Sequence, residues 1–182
     1  PSLAYYVASN ESTEVTGTPE LLNKLDGTRG FQMQSECEGV HDGSPYKQVN
    51  PMQHYENTAS PRGSRVDGFN PEYGAPTLPT VEILREMMDE KDLWPINKKV
   101  WDYLDGNGFH LMTTMYTDLV NNYGKSSSID EFAQKGQLLG AMNSKSIWEV
   151  WNYNKLDYGD RFCSGLLFWY HNCSMRQVSS RM

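Results

Sequence analysis

At 182 residues the chain has room for one ordinary domain but falls short of the roughly 250 that a complete (β/α)8 barrel takes. Sixteen Lys and Arg against 23 Asp and Glu give a formal net charge of −7 and a pI near 5.1, which argues against the basic surface that tracks a nucleic-acid backbone. The longest apolar run, around Leu166 to Tyr170, is far shorter than the ~20 residues a bilayer-crossing helix needs.

In chain order, Pro1 to Glu11 reads as a strand-like run with aromatic and aliphatic side chains that ends abruptly in Asn10-Glu11. Thr18-Pro19-Glu20-Leu21-Leu22 predicts a short helix with Thr18 at the N-cap and Pro at the first helical position, stopped by Asp26-Gly27. Phe31 to Ser35 alternates at period two and predicts a second strand. From Glu36 to Arg65 the chain is rich in Gly, Pro, Ser and Asn, which predicts a cleft-lining loop region with a short strand near Val49 to Tyr55.

Val66 to Phe69 leads into Glu72 and the turn Gly74-Ala75-Pro76, and Val81, Leu84 and Met88 then recur at helical spacing. Further helices are predicted from about His110 to Asn122, and from the capping box Ser128-x-x-Glu131 to about Tyr153, with Phe132, Leu139, Met142 and Trp148 as core. Phe162 to Tyr170 is the last strand. Strands separated by helical or long connections imply parallel neighbours with crossovers, hence an α/β fold.

Other chemistries find little support. Cys37, Cys163 and Cys173 are irregularly spaced, suggest neither a disulfide framework nor a C-x-x-C metal site, and are expected as small buried or half-buried residues. Asp102-x-x-Asp105-Gly106-Asn107-Gly108 lacks the alternating ligands and distal Glu of a calcium loop. There is no phosphate-binding Gly-rich loop, no G-x-S-x-G and no His pair at metal spacing, so no metal or cofactor is expected. The chain opens on Pro1 without a charged n-region or apolar h-region, so no signal peptide is visible within it. The sequons at Asn10 and Asn172 fall where a cleft floor is expected, and glycan is expected at neither.

Two glutamates, Glu11 and Glu72, each follow a strand-like run and precede a turn, the place where a barrel or open sheet keeps its chemistry. One such Glu alone is usually solvated surface. The pair is more specific through its neighbours: Pro1-Ser2-Leu3 followed by Ser9-Asn10-Glu11, and Phe69-Asn70-Pro71-Glu72-Tyr73-Gly74, resemble the strand-four and strand-seven signatures of glycoside hydrolase family 2. Gly39 to Tyr46, Pro79 to Met88, Leu93-Trp94-Pro95-Ile96 and Gly165 to Trp169 resemble, in the same order, the exo-β-glucosaminidase and β-mannosidase branch of that family.

The resemblance implies a (β/α)8 TIM barrel of which residues 1–182 form the C-terminal part, about strands 4 to 8, with Val49 to Tyr55 as strand six. Such a half should not be stable by itself, so the rest of the polypeptide or companion chains would complete it. It implies a retaining β-glycosidase acting on a terminal β-linked glucosaminide or mannoside, with Glu11 as acid/base and Glu72 as nucleophile.

In the same reading Asn10 binds the sugar's C2 substituent, Trp169 forms an aromatic platform, Tyr55 hydrogen-bonds the nucleophile, and His41 and Asp42 line a subsite wall. It favours a secreted or periplasmic setting. Ser9-Asn10-Glu11 follows the broader pattern shared with β-mannosidases and β-galactosidases, where the glucosaminidase branch often carries Ser-Asp, so a β-galactosidase-like activity is an alternative. Trp169-Tyr170-His171-Asn172-Cys173 departs from the usual last-strand ending. The rival from another class is a non-catalytic carbohydrate-binding module on the same fold; in a third reading both glutamates are solvated and only the fold is shared.

Overall fold

The structure, a computed structural model, describes residues 3–10, 12, 16–35, 50–55, 68–73, 76–105, 115–156, 163–168 and 180–181. It begins with a strand–helix–strand unit. The aromatic and β-branched Tyr5-Tyr6-Val7 form β1 (Tyr5–Val7), paired in parallel with β2 (Gly30–Gln32), Tyr5 opposite Gly30 and Val7 opposite Gln32. The ladder runs on through Ala8 N–H to Gln32 O and Ser35 N–H to Ser9 O, both at 3.0 Å. Gly30 is needed for this approach, because a Cβ there would stand 2.1 Å from the Tyr5 ring.

The crossover between them is α1 (Thr18–Leu25). Its N-cap is Gly17 at φ 87, not Thr18, which lies inside the helix; the left-handed entry favours the residue without a Cβ. Asp26 closes the helix as expected. The Thr28 hydroxyl, Arg29 and the Tyr6 hydroxyl, the last at 2.9 Å, hold its carboxyl well below the usual range.

Residues 52–55 are not strand but the short helix α2 (Met52–Tyr55), which corrects the strand expected from Val49 to Tyr55. The reason lies in Asn50-Pro51: the Asn50 side chain accepts the Met52 N–H at 3.0 Å and its carbonyl accepts the Gln53 N–H at 2.9 Å, so Asn-Pro opens a helical turn. Next come β3 (Gly68–Tyr73), the two-residue β4 (Pro76–Thr77), α3 (Val81–Met87), α4 (Glu90–Leu93), α5 (Lys98–Leu104), α6 (Met115–Asn121) and the long α7 (Ile129–Asn154), then β5 (Cys163–Phe168) and β6 (Ser180–Arg181). β3 and β5 are parallel, and β4 pairs antiparallel with β6. α4 and α5 were not anticipated; they carry Leu93 and Trp101 into the core. Residues 110–114 of the predicted helix, with Cys37 and Cys173, lie outside the described residues, and Cys163 is buried as expected.

α7 organises the second part of the fold, packing against α2, α3, α6, β4 and β5. Its first half joins Ile129, Phe132, Ala133 and Leu139 to Leu84, Leu93, Trp101, Tyr116 and Val120; its second half joins Ile147 and Trp151 to Tyr73 and Cys163. Its buried face is not the one expected. Met142 and Trp148 are 36% and 44% exposed, while Gly136, Gly140, Asn143 and Ser146 face inward. The small residues are there for close approach: a Cβ on Gly140 would meet the Thr77 methyl at 2.3 Å, and one on Gly136 the Tyr116 hydroxyl at 2.7 Å. That hydroxyl donates to the Gly136 carbonyl at 2.7 Å and accepts the Leu78 N–H at 3.1 Å.

The capping box forms. The Ser128 hydroxyl accepts the Glu131 N–H at 3.2 Å, while the Glu131 carboxylate takes the Ser127 N–H at 2.8 Å, one residue earlier than the usual reciprocal bond. Ser128→Ala is therefore expected to lower stability by about 1 kcal/mol, read by chemical denaturation; an unchanged midpoint would show that the cap contributes nothing. Among the described residues no helix is long and apolar enough to cross a membrane.

Candidate active site

Of the expected site residues the structure describes Asn10, Tyr55 and Glu72; Glu11, His41, Asp42 and Trp169 lie outside the described residues. Asn10 follows β1 at its C-terminal end. Its side-chain oxygen accepts the Ser35 hydroxyl at 3.3 Å, and Ser35 follows β2 at the same end. Ser9 and Ser12, which flank Asn10 and Glu11 in sequence, are tied by a hydrogen bond from the Ser9 hydroxyl to the Ser12 carbonyl.

Glu72 is the penultimate residue of β3 and half-buried. Its neighbour anchors the end of the strand. Tyr73 is fully buried against Ile147 and Trp151 of α7, and its ring meets Phe168 of β5 edge-on, centroids 5.4 Å apart. Burial raises the Tyr73 phenol above its ordinary pKa, so that side chain is neutral packing. Glu72 thus sits at the C-terminal end of a strand paired in parallel with β5, the end at which a barrel keeps its reacting groups.

The backbone around Glu72 is irregular. Asn70 pairs with Leu166 and Tyr73 with Phe168, so β3 takes three steps where β5 takes two, a bulge. Pro71 has no N–H for the ladder. The Glu72 N–H donates to the Asn70 side-chain oxygen at 2.9 Å.

No protein-family model matches the chain. It is 26% identical over 143 residues to an exo-β-D-glucosaminidase of Amycolatopsis orientalis, covering 74% of this chain and 13% of that protein. It is 25% identical over 147 residues to a mannosylglycoprotein endo-β-mannosidase of Lilium longiflorum, covering 70% of this chain and 15% of the relative. The crystal structure of a β-D-mannosidase from Dictyoglomus thermophilum superposes on 98% of this chain with a TM-score of 0.71, at 16% identity and over 24% of its own length. The chain resembles part of the glucosaminidase and mannosidase branch of glycoside hydrolase family 2. It spans less than a quarter of the length of each of these proteins.

Against that family resemblance Tyr55 stands differently from expectation. It ends α2, is 42% exposed, and its hydroxyl donates to Glu149 of α7. Glu149 also takes Lys145 at 2.6 Å; Lys145 first and Tyr55 second lower its pKa, while Glu149 raises that of Tyr55. The bond Tyr55 was expected to give Glu72 is thus not the one described, because residues 52–55 turn as a helix against α7. Two residues near the expected site had been given no role. Ser35, beside Asn10, was marked only by strand alternation; Asn70 was marked by Asn-Pro, a turn signal inside a strand. Among the described residues no group of His, Cys, Asp or Glu could hold a metal ion.

Proposed function

We propose that this chain is the C-terminal part, about strands 4 to 8, of a (β/α)8 catalytic domain of a retaining β-glycosidase acting on β-linked mannoside or glucosaminide. The observation that carries the reading is Glu72 at the C-terminal end of a strand that pairs in parallel with β5. The names of the relatives support the substrate class.

In this reading Glu11 and Glu72 stand about 5 to 5.5 Å apart across the barrel mouth. A Glu72 carboxylate oxygen attacks the anomeric carbon as the Glu11 carboxylic acid protonates the glycosidic oxygen, whose bond to that carbon breaks with its electron pair leaving on oxygen. Water then attacks the same carbon, giving its proton to the Glu11 carboxylate, and the bond to Glu72 breaks. Two displacements restore the β configuration. Asn10 holds the C2 substituent, with Ser35 holding Asn10; Trp169 lies under the sugar, and His41 and Asp42 line the wall beyond it. The remainder of the polypeptide, or companion chains, completes the barrel.

The test is to incubate the full-length protein with aryl β-mannoside and aryl β-glucosaminide and to follow the product anomer by NMR. The first-formed sugar is expected to be β. An α product would remove the double displacement, and no turnover would favour a carbohydrate-binding module. For Glu11→Ala, azide is expected to restore turnover and to yield the β-glycosyl azide, since the anion takes the place of the attacking water; failure to rescue would remove Glu11 as acid/base.

A further inference from the structure

The bulge in β3 sits directly beside the carboxylate assigned to the first displacement, and the side chain bracing it is Asn70, which is fully buried. A carboxamide taken out of water is held there by the hydrogen bonds it makes. One of these is the 2.9 Å bond from the Glu72 N–H. Pro71 removes the intervening donor and fixes its own φ, so the segment is restrained at Asn70 by the carboxamide, at Pro71 by the ring and at Tyr73 by its buried phenol. A bulge increases local twist and re-aims the side chain it carries.

We propose that Asn70 is a positioning residue for the reaction: by accepting the Glu72 N–H it holds the bulge that directs the Glu72 carboxylate at the anomeric carbon. This rests on the reading of Glu72 as nucleophile. In this role Asn70 acts through the Glu72 backbone N–H rather than on a reacting atom. Its effect is on how often the attacking oxygen is in line, which acts on kcat more than on KM, because misplacement by about 1 Å can cost ~100-fold in rate.

The test compares Asn70→Ser with Asn70→Ala in the full-length protein. The pair differs only in one hydroxyl, and a serine oxygen can still accept the N–H two residues on. On an aryl β-glycoside, Asn70→Ala is expected to lose about 10- to 100-fold in kcat with KM within about threefold of wild type, and Asn70→Ser to regain at least about fivefold over Asn70→Ala. If the alanine variant does not fold, the isosteric pair Asn70→Thr and Asn70→Val carries the same comparison. Equal kcat within a folded pair, or a difference carried by KM alone, would overturn the proposal. Glu72→Gln measured alongside separates the two readings: if it is inactive while Asn70→Ala keeps wild-type kcat, only Asn70 loses its role; if it is active, both readings fall.

Discussion

Glu72→Gln in the full-length protein is expected to lower kcat for an aryl β-glycoside by on the order of 10⁴-fold or more, a barrier increase of about 5.5 kcal/mol, with little change in stability. The two side chains are nearly isosteric and Glu72 is half-buried, so β3 and its pairing with β5 should survive; a thermal melt of the variant checks this. What the proposed mechanism loses is the oxygen that attacks carbon. A stereochemical control strengthens the test. In Glu72→Ala, azide added from the side of the missing carboxylate should give the α-glycosyl azide, the opposite anomer from that expected with Glu11→Ala. Turnover by Glu72→Gln within tenfold of wild type would remove Glu72 from the chemistry, whatever the resemblance to family 2.

The second large effect is on stability, and it comes from His54. This imidazole is 1% exposed between α2 and α7, and neither ring nitrogen meets a hydrogen-bond partner of normal geometry among the described residues. Burial pushes its pKa down to about 4, partly opposed by the Asn143 side chain of α7. A lowered folded-state pKa means that the unfolded chain takes up a proton which the folded chain refuses. Above the ordinary value near 6.5 both states are neutral and stability does not depend on this group. Between pH 6.5 and 4 the unfolded state gains, and the folded chain loses about 3 kcal/mol in total.

Carboxylates with lowered pKa, such as Glu131 beside Lys135 and Ser127, add losses in a lower window, below about pH 4.5, as they protonate. The two windows are separated by comparing wild type with His54→Gln. Denaturation free energies measured from pH 7.5 to 4.5 should fall in the wild type and stay nearly level in the variant; parallel curves would remove His54 as the cause. Loss of the imidazole's packing changes the variant's absolute stability, but not the slope that decides the question.

How much of this was legible in the sequence follows physical lines. β1, β2 and β5 were readable because each is a run of aromatic, branched or alternating residues bounded by turn signals, whereas β3 was reached only from its leading run at Val66 to Phe69, since Asn70-Pro71 inside it is itself a turn signal. α7 was readable at its start, where Ser128 and Glu131 make local bonds that require no knowledge of the rest of the chain. Its inner face was misread because apolar periodicity counts Met142 and Trp148 and overlooks Gly136 and Gly140, whose contribution is the absence of a side chain where Thr77 and Tyr116 come close. The strand expected at Val49 to Tyr55 was a turn signal overlooked: Asn50 before Pro51 caps a helix.

The candidate site shows the same division. The sequence by itself determined the family resemblance and the two candidate carboxylates that carry it, since these depend on residue type and short-range pattern. Only the tertiary structure decided that β3 bulges against β5 beside Glu72, that Ser35 supports Asn10, and that Tyr55 is engaged by Glu149. Those facts depend on strand register and on which helix covers the sheet, and contacts between residues 25 to 94 positions apart are set by packing rather than by any local preference.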